Sequence, residues 1–188
     1  MDLYLVRHAE AADKAVDPAR NLTERGRRDA AALARALQPL RIRVRAIWHS
    51  GKPRAFQTAE AFAAVVECSG EGLVAHAGLK PFDGVKKLAR ALEQIDESIM
   101  IVGHEPFLGR LAARVITGHG SWPLLSLDKP SIACLRRDAA GDWRVAWLLS
   151  RESLGRTADI ADAAAEPPTR PESPVAEEHD LTDADAQQ

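Results

Sequence analysis

Short apolar runs alternate with stretches of helical periodicity along the first 150 residues, and this alternation constrains the fold more than any other feature of the chain. Leu3, Leu5 and Val6 form a strand-like run over residues 2–6. Thr23 then stands where a helix N-cap is expected, ahead of the apolar face Ala30, Leu33, Ala34 and Leu37, and Pro39 stops the helix. Val44 to Trp48 reads as a second strand. Pro53 opens a helix with Ala55, Ala59, Phe62, Ala63 and Val66 on its inner face. Leu73 to Ala77 is a weaker strand, and Val85, Leu88, Ala89 and Leu92 mark another helix. Ser98 to Val102 is continuously apolar, as in a strand covered on both faces. Pro106 opens a helix that turns Leu108, Leu111, Ala112 and Val115 inward. Ile132–Arg136 and Trp143–Leu149 flank the turn Ala140-Gly141-Asp142 and read as a hairpin. The pattern predicts an α/β fold, a three-layer sandwich whose mostly parallel sheet is flanked by helices, with an antiparallel hairpin near the end.

The chain has 188 residues and is 46% hydrophobic, enough for one core and one domain. Its charge is uneven. After residue 155 there are two Arg against nine Asp and Glu, a net of −7, while residues 1–155 carry +5. The expected organisation is a domain over 1–155 and a disordered acidic tail over 156–188, rich in Ala and Pro and without apolar periodicity. The mildly basic body suits anionic ligands, but it lacks the dense Lys/Arg stripe of a nucleic-acid binder. No apolar run is long enough to span a bilayer. Cys68 and Cys134 are too few and too distant for a disulfide framework or a zinc site, and both are expected as buried small apolar residues. With no secretion signal ahead of the first strand, a monomer in a reducing cytoplasm, without membrane or nucleic-acid partner, is the expectation.

Polar residues gather at the carboxyl ends of three predicted strands. Arg7 and His8 end the first, His49, Ser50 and Arg54 follow the second, and Gly103 and His104 end the buried one. Ligands of open α/β sheets bind at such ends. Two guanidiniums and two imidazoles placed there make a cationic pocket suited to phosphate. Arg bonds two phosphoryl oxygens through its planar fork, a neutral imidazole can attack phosphorus, and a protonated one adds charge to the transition state. The helix starting at Pro53 would also point free N–H groups at the anion. This chemistry needs no metal and no other cofactor. His49, His76, His119 and His179 lack metal-site spacing and are expected to be structural.

Four segments carry a family resemblance. "LYLVRHAEA" resembles the Arg-His-Gly nucleophile motif of the histidine phosphatase superfamily, and "NLTERGRRDA" its Leu-Thr-x-x-Gly helix start. "IWHSGKPRAFQTAE" is similar to its Ser-x-x-x-Arg-Ala-x-x-Thr-Ala segment, and "MIVGHEP" to its second-histidine motif. The resemblance covers roughly residues 1–150. It implies that His8 is the nucleophile and that Arg7, Arg54 and His104 bind and polarise the phosphoryl group. Ser50 would cap the following helix or touch phosphate, and Glu10 would line the pocket rim. Ala9 replaces the motif glycine, which requires a negative φ at that position, and Asn21 replaces a frequent proline. The long insertion that gives superfamily mutases and acid phosphatases a lid and a proton donor is missing, since about twenty residues link Ala77 to Ser98. This compact plan, and "GLKPFDGVKKLARAL", resemble the SixA-type phosphohistidine phosphatases. The implied substrate is a phosphorylated signalling protein, such as a phosphotransfer domain. A small phosphorylated metabolite and a non-catalytic phosphate-binding role are the alternatives. Asp83 is the candidate donor if an acid is needed, or else a residue of the "PFDG" turn.

Overall fold

The computed structural model describes residues 1–155, so the expected acidic tail at 156–188 lies outside the described residues. Six strands and four α-helices follow in the order β1 (Asp2–Arg7), α1 (Glu24–Ala36), β2 (Arg43–His49), α2 (Pro53–Ala63), β3 (Glu67–Ala75), α3 (Lys86–Glu93), β4 (Ile99–Gly103), α4 (Phe107–Thr117), β5 (Ser131–Arg137) and β6 (Trp143–Ser150). They form one sheet in the order β3-β2-β4-β1-β5-β6. β3, β2, β4 and β1 run parallel, while β5 is antiparallel to β1 and to β6. The expected parallel α/β sheet with a terminal hairpin is what forms.

Strand alternation divides the core into two apolar layers. Leu3, Leu5, Ile99 and Ile101 face α3 and α4, whereas Tyr4, Val6, Met100 and Val102 face α1 and α2. The chain moves outward from β1 through β2 to β3, then returns to β4. Right-handed crossovers in opposite directions must lie on opposite faces, so α1 and α2 cover one face and α3 and α4 the other. β4 thereby inserts between β1 and β2, pairing Arg7 with Gly103 and His49 with Val102. Three carboxyl ends meet there. Among the described residues, no helix is long and apolar enough to cross a membrane.

Some expectations need correction. β3 starts at Glu67, well before Leu73, because Glu67–Gly70 is an exposed polar edge with no alternation to read. Cys68 lies on that edge and is exposed, while Cys134 is buried as expected. Ala63 is exposed at the last turn of α2, and the buried side of that helix takes in Thr58 instead. Val115 is only half-buried, and Phe107, the first residue of α4, is fully buried.

Candidate active site

The nucleophile loop is seated by the start of α1. Thr23 caps that helix by accepting from the Gly26 N–H at 2.9 Å, and the Thr23 N–H donates to the Glu10 carbonyl at 3.1 Å. Gly26 packs so closely on this loop that a Cβ there would lie 2.1 Å from the Glu10 oxygen, which explains the glycine of the Leu-Thr-x-x-Gly segment. Asn21 donates its N–H to Asp17 at 2.8 Å, a bond the more frequent proline could not make, and accepts from Gln57 of α2 at 2.7 Å. Ala9 is fully buried and is not among the residues with positive φ, so the motif glycine is dispensable here.

His8, Arg54 and His104 come together as expected, all buried, at 5%, 9% and 2% exposure. His8 Nδ1 lies 2.7 Å from the Ala9 carbonyl oxygen. A carbonyl only accepts, so the ring proton is on Nδ1 and Nε2 carries the lone pair. The Arg54 Nε–H donates to that Nε2 at 3.3 Å. The two imidazoles meet edge to face with centroids 4.8 Å apart. Ser50 Oγ and His104 Nε2 share a 2.7 Å hydrogen bond, while His104 Nδ1 is buried without a hydrogen-bond partner among the described residues. The capping role for Ser50 does not hold: Lys52 is the N-cap of α2, and Ser50 instead orients His104.

Arg7 donates to the Leu127 carbonyl, and its Nε is buried without a partner among the described residues. Leu127 is itself held through its N–H by the Glu105 carboxylate at 3.2 Å, and the other Glu105 oxygen takes the Gly109 N–H at 3.2 Å. Glu105→Ala should unpin Leu127 and lower kcat/KM for an aryl phosphate about tenfold, the equivalent of one charge-assisted hydrogen bond. Most of that change should fall on KM, with Glu105→Gln in between. Steady-state kinetics with KM unchanged in both variants would refute the tether.

Electrostatics keep both histidines neutral while the pocket holds no anion. Burial pushes His8 down from its ordinary 6.5 to about 3; the bond to Ala9 opposes this, and the charges of Arg54, Lys129 and Arg7 add to it. His104 is pushed to about 3 by burial, then by His8, Arg54, Lys52 and Arg7. Burial and these charges therefore oppose the protonation expected of the second histidine. Lys129, which the sequence reading missed, is lowered by burial and by Arg7, Arg20 and Arg54, and raised by Glu10. Pairing of Arg7 with Ser131 places its loop beside Arg7. No periodicity marks that loop.

The Glu10 carboxylate is half-exposed and 3.9 Å from Arg25. Asp83 is not part of the cluster. It accepts the Lys80 N–H at 2.8 Å within its turn and lines a separate hollow with His76, Lys80 and Lys87. His76 stacks on Trp48, His49 Nδ1 accepts from Gly51 at 3.2 Å, and His119 is exposed, consistent with structural roles for these three. His179 lies outside the described residues.

The family model "Histidine phosphatase superfamily (branch 1)" matches residues 3–80. An uncharacterised protein of Picosynechococcus sp. is 35% identical over 150 residues, covering 74% of this chain and 87% of that one. Among solved structures, the fold is similar to that of the protein histidine phosphatase SixA complexed with tungstate, at 24% identity and a TM-score of 0.71 over 82% of this chain and 99% of that one. It is also similar to a putative phosphohistidine phosphatase SixA from Agrobacterium tumefaciens (24%, TM-score 0.63, 79% and 97% covered). A phosphoserine phosphatase from Entamoeba histolytica, solved with 3-phosphoglyceric acid, shares the fold at 18% identity (TM-score 0.56, 79% and 96% covered). The structural likenesses speak for the fold, and the family model and the relative speak for descent: this chain belongs to the histidine phosphatase superfamily.

Proposed function

We propose that this protein is a metal-independent phosphatase that works through a phosphohistidine intermediate on His8, and that its substrate is phosphohistidine on a signalling protein such as a phosphotransfer domain. The observation that carries the catalytic part is the tautomer of His8. The Ala9 carbonyl holds the proton on Nδ1, so Nε2 meets the anion with its lone pair. Arg7 and Arg54 bind equatorial oxygens, His8 Nε2 bonds to phosphorus, and the bond to the leaving group breaks in line. Water then splits the phosphohistidine to release phosphate. The incoming dianion raises the proton affinity of His104, which places a cation where charge develops.

The surroundings of this cluster support that choice of substrate. Among the described residues, no carboxylate hydrogen-bonds to His8, Arg54 or His104. Glu105 accepts two backbone N–H groups, Asp83 accepts from Lys80, and Glu10 is half-exposed beside Arg25. An alcohol leaving group needs a general acid, worth about 10²–10⁴ in rate. A phosphoramidate leaves as imidazole and needs it less. The link from β3 to β4 holds only the eight-residue α3, which is too short for the lid that retains a small substrate. The fold shared with a phosphoserine phosphatase supports a second reading, hydrolysis of a small phosphorylated metabolite.

Phosphate release from a phosphohistidine-bearing phosphotransfer domain, measured beside a panel of sugar phosphates and nucleotides, separates the two. The phosphoprotein is expected to show a kcat/KM at least tenfold above any small phosphate. The reverse preference would make the protein a metabolite phosphatase and leave the assignment of His8 standing.

A further inference from the structure

We propose that Thr58 is a positioning residue that locks the tautomer of the nucleophile, through the peptide that follows His8. The proposal rests on the reading of His8 as nucleophile. Thr58 lies in the second turn of α2, fully buried, four residues after Arg54. Its hydroxyl donates to the Arg54 carbonyl at 2.8 Å and accepts the Ala9 N–H at 3.0 Å. The Ala9 carbonyl in turn takes the His8 Nδ1 proton at 2.7 Å, and the Arg54 Nε–H returns to His8 Nε2 at 3.3 Å. These four hydrogen bonds close a circuit through His8, Ala9, Thr58 and Arg54.

The orientation of the Ala9 residue decides which imidazole nitrogen is nucleophilic. Its methyl group is fixed in an apolar cluster with Leu22 and Ala30, and its N–H is fixed by Thr58. With both held the Cα frame of Ala9 is set, and Glu10, seated on the Thr23 N–H and packed against Gly26, limits the remaining rotation, so the carbonyl faces Nδ1. Without the hydroxyl, the Ala9 N–H is buried with no acceptor, and the loop must turn to find one. The carbonyl then leaves Nδ1, the proton is free to move to Nε2, and the lone pair that attacks phosphorus is lost. A hydroxyl bonded back to the carbonyl four residues earlier is a common local device in helices. Here the same oxygen carries a second bond, out of the helix and into the nucleophile loop.

Thr58→Val keeps the shape and removes the hydroxyl, and Thr58→Ser keeps the hydroxyl and removes the methyl. Turnover of an aryl phosphate and the ¹⁵N shifts of the His8 ring test the two variants in the full-length protein. Thr58→Val is expected to lower kcat ten- to fiftyfold with KM within threefold, and to turn a single Nδ1–H pattern into a mixture of tautomers. Thr58→Ser is expected to stay within threefold of wild type, with the wild-type ring pattern. An unchanged kcat in Thr58→Val, a lowered kcat with His8 still purely Nδ1–H, or no rescue by serine would each overturn the proposal. So would an Nε2–H pattern in the wild-type protein, a measurement that stands even if the valine variant does not fold. Persistent turnover in His8→Ala would instead sink the nucleophile reading and leave the ring pattern to be judged separately.

Discussion

His8→Ala should lower kcat with an aryl phosphate by about four orders of magnitude or more while leaving phosphate affinity within about fivefold of wild type. The two effects separate because different groups produce them. In the proposed mechanism the anion is held by the guanidiniums of Arg7 and Arg54, one tied to Leu127 and the other anchored on α2. His8 contributes a neutral imidazole, which lends no charge to ground-state binding. Its removal also frees the Arg54 Nε–H for an oxygen of the ligand. Kinetics paired with calorimetric titration of inorganic phosphate check both halves. Turnover within tenfold of wild type would remove His8 from the mechanism, whereas loss of phosphate binding would make it a ligand-holding group.

The second large effect is on stability against pH. His8 and His104 are held near 3 in the folded protein, against an ordinary value of 6.5. Below pH 6.5 the unfolded chain takes up protons at these rings that the folded chain refuses, so stability is full above that pH and falls as the pH drops towards 3. Between pH 7 and pH 5 the loss is at most about 2 kcal/mol per histidine. For both rings, that is a large share of the ~5–15 kcal/mol that holds a domain together. Denaturant unfolding at the two pH values, in buffers free of phosphate and sulfate, should show wild type losing about 2 kcal/mol more than His104→Gln. Equal losses would mean that His104 titrates normally.

What was legible in the sequence is what periodicity and strand ends carry. Thr23 announces the start of α1, and the run ending at Val102 announces a strand buried on both faces. His8, Arg54 and His104 were found because each follows such an element at the same end of the sheet. What stayed hidden depends on contacts between distant segments. Thr58 belongs to the Ser-x-x-x-Arg-Ala-x-x-Thr-Ala segment, but its role appears only with Ala9 packed against α2. Glu105 reads as part of the second-histidine motif, yet its carboxylate works on Leu127, 22 residues further on. The polar edge of β3 has no pattern to read, because one side faces no partner strand. Ser50 is expected to cap α2 or to touch phosphate; the cap does not form, and its hydroxyl bonds to His104, 54 residues away.

The insertion of β4 between β1 and β2 has a consequence for how the protein is made. During synthesis the first two strands have no hydrogen-bonding neighbour in common until residues 99–103 arrive, so each presents an open edge facing a gap. Pairing across a separation of 96 residues, as between Leu3 and Ile99, closes a long loop and is slow compared with helix formation. The strand that fills the gap also delivers His104 to His8. A chain halted before that point holds His8 and Arg54 but lacks His104, so the candidate site is assembled together with the centre of the sheet.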